Sequence, residues 1–479
     1  MKTTDEYQTN LEALEVALNR ETYRQYAGLP YDEAKMEDLS GEMEALAREA
    51  LATLPEESFP RPLFYAAIRT SRASDYTRLD NEIYRLRSEG VQVDGETVNL
   101  SNWRLFNREQ VHHPDRRRQA FEALLDHVPV LTPLLARRLA LSRDLYGRYG
   151  LTPLDIYLEE ERVDFATLQR LVDSSALAAR PAFQEELDRF ATECLGKPAE
   201  FYDDYYVFSN VIFEPVDSYL AGIDFHELLS PIYEGMGFPL SRIDIDGEPR
   251  AGKHVSPVCF GVRIPDEVYV LYQRTTPVAD YIGYCHELGH ALHFTSVAPG
   301  LSYADRYLIP SGVDEIFSTL FEALGTDPRF LAEEVGLPQP AIADLLRRER
   351  FMDLYFLTFY GANAMFKLRY WTEHPEIDAA DDLYAALYHR YVGLPMPGRY
   401  WQTHHVVGLY DVYAPSYLLA KVRMTELRRV LEERFTLRWW HRPETGAYLR
   451  EQLMGPGRGI PLEEFSRLAA RPYLASLGL

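Results

Sequence analysis

Cysteine is scarce in this sequence of 479 residues. The three cysteines, Cys194, Cys259 and Cys285, are an odd number and form no CxxC pair. A framework of structural disulfides is therefore not expected, and a reducing cytoplasm is the predicted compartment.

Long apolar runs are also missing. The nearest candidates are short pieces such as "VYVLY" at 268–272, whereas a helix that spans a membrane needs about 18 apolar residues. The first residues, "MKTTDEYQTNLEALEV", lack the basic and then apolar layout of a secretory signal. We therefore expect a soluble protein that is neither exported nor bound to a membrane.

Positive charge is in deficit. The chain has 50 Lys and Arg residues against 73 Asp and Glu residues, which gives a formal net charge of −23. A phosphate backbone would be repelled by such a surface, so nucleic acid is not an expected partner. The hydrophobic fraction of 46% and the charged fraction of 26% are those of an ordinary globular protein.

Apolar residues recur at helical spacing along most of the chain, for example in 4–26 and 115–150. No internal repeat or low-complexity tract interrupts this pattern. The exception is 255–275, where β-branched and aromatic residues surround a turn signal at Pro265 and Asp266. The sequence thus predicts a mainly α fold with a small β-hairpin or sheet.

The string "HELGH" supplies the first candidate site. Thr276 and Pro277 have the character of a helix cap and a first helical residue, so the string is predicted to lie on a helix. His286 and His290 are then one turn apart on one face and can bind one metal ion. Glu287 points in an adjacent direction, which suits a general base in zinc hydrolysis.

A third ligand is required, because a catalytic zinc usually has three ligands from the protein. Ser311 is predicted to cap a second helix, "GVDEIFSTLFEAL", with Asp314 completing a capping box. Glu315 and Glu322 share one face of this helix over two turns. One of these acids could bind the metal while the other supports a histidine.

Three further residues that could be taken for metal ligands have a simpler, structural interpretation. His226 begins the string "HELL", but Ser230 stands where the second ligand would be. Cys285 precedes a ligand and points about 100° away from it on a helix. We predict structural roles for His226 and Cys285, and a supporting or core position for His293.

The segment "HELGHALH" at 286–293 resembles the metal helix of the thimet oligopeptidase and oligoendopeptidase F family. In that family the third ligand is a glutamate 25 positions after the second histidine, which implies Glu315. The segment "HHVVGLYDVYAPSYLLA" is similar to another family segment. This likeness implies that His405 contacts the substrate and that Tyr410 and Tyr417 donate hydrogen bonds to the oxyanion.

The resemblance also implies an architecture. It predicts one Zn²⁺ per chain in a two-lobed helical body with a deep substrate channel. We expect an N-terminal helical lobe at 1–150 and a catalytic region at 151–479, with an approximate boundary and interleaved lobes. The hairpin within 255–275 would lie beside the metal helix and pair with the backbone of the peptide.

The predicted function is zinc-dependent hydrolysis of internal bonds in short, unstructured peptides. A carboxypeptidase or dipeptidyl carboxypeptidase on a related scaffold is the nearest alternative, and a fixed Arg or Lys that holds the substrate carboxylate would distinguish it. A peptide-binding protein without catalysis is a third hypothesis, which the presence of Glu287, Tyr410 and Tyr417 disfavours.

Overall fold

The computed structural model describes residues 3–100, 103–110, 112–203, 211–250, 252–254, 256–273 and 276–479. These residues form a mainly α-helical fold with two small sheets, which confirms the predicted fold class. Among the described residues, no helix is both long enough and apolar enough to cross a bilayer.

The helices carry the labels α1 to α21 in chain order. They are α1 Thr4–Tyr26, α2 Glu33–Thr53, α3 Arg61–Thr70, α4 Ala73–Glu89, α5 Trp103–Glu109, α6 Pro114–His127, α7 Thr132–Gly147, α8 Pro153–Glu160, α9 Phe165–Leu195, α10 Glu214–Asp217, α11 Phe225–Gly235, α12 Pro277–Ser296, α13 Tyr303–Tyr307, α14 Ser311–Gly325, α15 Pro328–Glu333, α16 Gln339–Glu373, α17 Ile377–Tyr391, α18 His405–Gly408, α19 Ala414–Arg434, α20 Pro443–Tyr448 and α21 Ala470–Ser476. Short 3-10 turns lie at Glu56–Ser58, Val128–Val130, Leu240–Arg242, Gly398–Gln402, Trp439–His441, Gly457–Gly459 and Leu462–Glu464, and one π-helical turn lies at Leu449–Met454.

Two sheets accompany the helices. Strands β1 (Val91–Val93) and β2 (Glu96–Val98) form an antiparallel pair. In the second sheet, β4 (Val258–Arg263) and β5 (Glu267–Leu271) form the predicted hairpin, and β3 (Ile243–Asp246) pairs in parallel with β5. The order β3-β5-β4 makes β4 an edge strand. Strand β3 was not predicted, because its four residues carry too short a pattern to identify a strand.

By their internal contacts the residues fall into two compact units. Unit 1 consists of Met1–Thr77, Val216–Ala343 and Leu419–Ala469, and unit 2 consists of Arg78–Pro215, Asp344–Leu418 and Ala470–Leu479. The boundary between residues 150 and 151 does not coincide with a change of unit. The assignment of 151–479 as the catalytic region remains a prediction, as does the substrate channel.

The two helices that carry the candidate ligands begin differently. Thr276 is the N-cap residue of α12, as predicted. The predicted cap of α14 was wrong, since Pro310 occupies the N-cap position and Ser311 is the first helical residue, without a side-chain cap. The carboxylate of Asp314 instead faces two histidines of α12. A partly buried acid beside two imidazoles has stronger partners there than a backbone amide would offer.

Helices α12 and α14 pack together at Gly289. A Cβ atom at this position would lie 2.6 Å from the carbonyl oxygen of Phe317 and 2.7 Å from the Cα of Ser318. Both atoms belong to the backbone, so rotation of a side chain could not relieve the overlap. The two helices approach this closely because residue 289 has no side chain.

We expect Gly289→Ala to lower the free energy of unfolding by about 2 kcal/mol. Overpacking costs up to about 3 kcal/mol, and the higher helix propensity of alanine offsets about 1 kcal/mol of this. Urea unfolding would measure the change. Gly300→Ala is the control, because no atom lies within 4 Å of its added Cβ, and its effect should stay within about 0.5 kcal/mol. Equal stability of both variants would contradict the close contact.

Candidate metal centre

His286 and His290 of α12 and Glu315 of α14 converge in unit 1. One potential ligand atom from each lies within 4.8 Å of the others. The Nε2 atoms of His286 and His290 are 3.3 Å and 3.6 Å from the same carboxylate oxygen of Glu315. Ligands about 2.0–2.1 Å from a tetrahedral zinc lie roughly 3.3 Å from one another. The separations of both histidine nitrogens from the Glu315 oxygen therefore fit one zinc ion.

The charges in this cluster favour a bound cation. Burial alone would lower the pKa of His286, but the Glu315 and Glu322 carboxylates outweigh this and raise it to about 10. Burial likewise opposes the charge of Glu315, yet His286 and His290 hold the pKa of this carboxyl well below its ordinary value. The buried acid is thus an anion that requires positive charge beside it, and a divalent metal would supply this charge.

Glu322 orients the first histidine. Its carboxylate lies 2.7 Å from Nδ1 of His286 and accepts a hydrogen bond of 2.7 Å from Nζ of Lys421. Burial opposes its charge, but Lys421 and His286 together lower the pKa of Glu322 to about 2. With Nδ1 held by a carboxylate, Nε2 of His286 is directed at the cluster, which is the usual arrangement of a metal-binding histidine.

The carboxylate of Asp314 contacts the second histidine of the motif, His290, and also His293. One carboxylate oxygen is 3.1 Å from Nδ1 of His290, and the other is 3.0 Å from Nδ1 of His293. Burial opposes the charge of Asp314, but the two histidines lower its pKa to about 2. His293 is fully buried, in agreement with the supporting or core position predicted for it.

Sequence reasoning missed two of these supporting residues. Asp314 was assigned to a helix cap, and its position next to Glu315 gave no clear signal, because adjacent residues on a helix point about 100° apart. Lys421 gave no signal, because 99 residues separate it from Glu322. Its neighbours in the chain do not distinguish it from a surface lysine.

Glu287 lies beside the cluster and is partly exposed. Burial raises the pKa of Glu287, while His286 and His290 act to lower it. The backbone amide of Cys259, in β4, also favours the ionised carboxylate. A carboxyl group with a raised pKa next to potential metal ligands has the properties of a group that accepts and returns a proton.

The structural interpretation of two further residues is confirmed. Nδ1 of His226 lies 3.0 Å from the hydroxyl of Tyr284, which gives this imidazole a hydrogen-bond partner. Cys285 is fully buried, and burial raises the pKa of its thiol to about 12. A thiol with this pKa packs as a small apolar group.

A second group of potential ligands consists of Glu333, Glu334 and His441. Glu333 accepts hydrogen bonds from Arg438, one of them at 2.7 Å from Nε. Glu334 accepts one from the indole of Trp440 at 3.1 Å and lies 2.8 Å from His441. These contacts are ordinary surface ion pairs, and they leave the group at 286, 290 and 315 as the candidate metal centre.

The remaining predicted site residues belong to unit 2. Tyr410 is 43% exposed, and its ring packs on Tyr413 at 5.2 Å between centroids. Tyr413 packs in turn on Tyr417 at 5.3 Å. His405 is the first residue of α18, and its side chain lies outside the described part of the structure. Catalytic roles for Tyr410, Tyr417 and His405 remain predictions.

Three solved structures share the fold of this chain. The structure named BsuCP is 15% identical with a TM-score of 0.61, covering 98% of this chain and 97% of that one. An M32 carboxypeptidase from Deinococcus radiodurans R1 is 16% identical with a TM-score of 0.62, covering 99% and 97%. A protein from Bacillus anthracis str. Ames, assigned as an oligoendopeptidase F, is 13% identical with a TM-score of 0.60, covering 92% and 82%.

The chain has the fold of these three proteins. No protein-family model matches it, and no curated protein sequence does. The likeness in fold supports the resemblance to oligoendopeptidase F that the metal helix suggested. The proteins that share this fold also include an M32 carboxypeptidase.

Proposed function

We propose that this protein is a zinc-dependent oligopeptidase that hydrolyses internal bonds of short, unstructured peptides. One observation carries the proposal. The Nε2 atoms of His286 and His290 lie 3.3 Å and 3.6 Å from one carboxylate oxygen of Glu315, and Glu287 lies beside these three residues. The fold of a peptidase surrounds this cluster. Peptides are the proposed partners, nucleic acid is not, and the cytoplasm is the proposed compartment.

His286, His290 and Glu315 would hold one zinc ion per chain. When bound, zinc lowers the pKa of a coordinated water to about 7 and polarises a carbonyl group. Glu322 lies 2.7 Å from Nδ1 of His286, and Asp314 lies 3.1 Å from Nδ1 of His290. Carboxylates on this side of the rings would leave Nε2 of each imidazole as the metal-binding atom.

Glu287 is the proposed general base and acid. It would take a proton from the water that attacks the scissile carbonyl and pass this proton to the leaving amine. Its raised pKa supports both steps, because a carboxylate with a raised pKa accepts a proton more readily than one with the ordinary pKa of a glutamate. The partial exposure of Glu287 leaves room for a substrate.

Tyr410 and Tyr417 are proposed to donate hydrogen bonds to the oxyanion, and His405 is proposed to contact the substrate. A tyrosine hydroxyl can donate one hydrogen bond to an oxyanion. The exposure of Tyr410 supports this role. The edge strand β4 is the proposed partner for the peptide backbone, since its Cys259 amide already faces Glu287.

A pair of peptides tests the proposed reaction against the carboxypeptidase alternative. Both have the same sequence and an acetylated N-terminus, and one ends in a free carboxylate while the other ends in an amide. We expect the zinc-loaded protein to cut both at the same internal bond, as measured by mass spectrometry. Stepwise loss of residues from the free acid alone would indicate a carboxypeptidase. Binding without cleavage of either peptide would support a non-catalytic peptide-binding protein.

A further inference from the structure

A cavity of about 240 Å³ lies in unit 1 beside the candidate metal centre. Two of its lining residues connect it to that centre. Asp314 contacts His290, and Cys259 presents its backbone amide to Glu287. A single residue therefore separates the cavity from the candidate ligand His290, and another single residue separates it from the candidate base Glu287.

The lining carries a negative balance of charge. Glu15 and Asp314 are its acids, and Arg306 is the one Lys or Arg residue among the described residues that line it. Each guanidinium nitrogen of Arg306 already donates a hydrogen bond, to the carbonyl oxygens of Leu301 and Ile264 and to Glu12. Arg306 is thus neutralised by Glu12 and does not offer its charge to a ligand.

Glu15 is the acid that a ligand in this cavity would meet. The hydroxyl of Tyr303 donates a hydrogen bond to its Oε2 atom. Burial raises the pKa of Glu15, the hydrogen bond from Tyr303 acts to lower it, and the nearby Glu12 raises it further. A cation in the cavity would relieve both unfavourable contributions, because it would pair with a carboxylate that water solvates poorly.

Most of the other lining residues are apolar and include Phe260, Ile264, Phe294 and Ile309, whereas Asn19 and Tyr307 add polar groups. An occupant with an aliphatic stem and a cationic end would therefore match both the apolar residues and the acids of the lining. The volume is smaller than the roughly 300–1,000 Å³ of pockets that enclose entire small ligands. It suits one side chain of a longer molecule.

We propose that this cavity is a subsite for a lysine or arginine side chain of the peptide substrate, with Glu15 as the residue that determines this preference. The proposal rests on the proposed peptidase function, since it specifies the substrate class of the same site. The cationic end would pair with Glu15, while the stem would lie against Phe260 and Phe294.

Internally quenched peptides test this subsite. In one series each position around the cut carries Lys, the uncharged isostere norleucine, or Glu. We expect the wild type to prefer Lys over norleucine at one position by at least about tenfold in kcat/KM, which corresponds to about 1.4 kcal/mol. Glu15→Gln should remove this preference and leave cleavage of the norleucine peptide unchanged. Glutamine keeps the size of the side chain and can still accept the bond from Tyr303.

Asp5→Asn is the matched control, because it removes the same charge from an exposed position of the same helix. It should retain the preference for Lys, and the thermal midpoints of the two variants should agree with that of the wild type. Equal cleavage of the Lys and norleucine peptides by the wild type would overturn the proposal. An equal loss on all peptides in Glu15→Gln would also overturn it, because Glu15 would then be structural.

A binding measurement separates this proposal from the peptidase function. Fluorescent Lys and norleucine peptides are titrated into zinc-loaded Glu287→Gln protein and into the same protein with Glu15→Gln added. Tighter binding of the Lys peptide that the second substitution abolishes would support the subsite, even if the wild type hydrolyses no peptide. The absence of a binding preference for Lys would contradict it.

Discussion

Glu287→Gln is expected to lower kcat/KM for peptide hydrolysis by about 10²–10⁴-fold while the protein still binds one zinc ion. Glutamine has nearly the same size and can accept a hydrogen bond, but it cannot take a proton from water at neutral pH. The metal cluster does not require the carboxylate of residue 287, since His286, His290 and Glu315 supply the three proposed ligands. Peptide cleavage and the zinc content of the purified protein are the two measurements.

Glu248→Gln is the control for this experiment, because it makes the same chemical change at an exposed residue. Its activity and zinc content should match those of the wild type. If Glu287→Gln retained most of the hydrolytic activity, another group would have to be the base. If it lost zinc along with activity, Glu287 would be part of the metal site and its role as a base would not follow.

Glu315→Gln is expected to abolish stoichiometric zinc binding, and Glu322→Gln to weaken it by about 10–100-fold. The first change replaces an anionic ligand with a neutral amide. The carboxylate oxygen of Glu315 lies 3.3 Å and 3.6 Å from the Nε2 atoms of the two histidines. The second change leaves the ligands in place but weakens the contact that orients His286. Competition with a chromophoric chelator would measure both affinities, and the first loss should exceed the second.

Glu333→Gln is the matched control for the zinc measurements, because Glu333 belongs to the second group of potential ligands. It should bind zinc as the wild type does. Loss of zinc in Glu333→Gln, with normal binding in Glu315→Gln, would move the metal to the surface group and contradict the proposed centre. If Glu322→Gln bound zinc as tightly as the wild type does, Glu322 would not support the proposed metal-binding histidine.

The features predicted well from the sequence depend on local geometry. His286 and His290 lie on one side of α12 because residues four apart on a helix share a face, whatever the rest of the chain does. Glu315 and Glu322 share a face for the same reason, and the structure has both of them beside His286. The hairpin of β4 and β5 was predicted because alternation and a turn signal lie within one short segment.

The features that sequence reasoning missed depend on segments that are distant in the chain. Strand β3 exists because β5 offers it a parallel partner. Asp314 does not form the predicted capping box, because α12 packs against α14 and brings two imidazoles next to its carboxylate. In each case the local residues allow more than one arrangement, and packing selects among them.

The sequence by itself determined the metal-binding pattern on α12, the acids on α14 and the mainly helical fold, because helix periodicity places side chains on a common face without reference to other segments. Only the tertiary structure decided that one oxygen of Glu315 meets both Nε2 atoms, that Lys421 supports Glu322, and that Glu15 lies in a cavity beside β4. These contacts join residues up to hundreds of positions apart, and their formation depends on how the helices pack rather than on any local pattern.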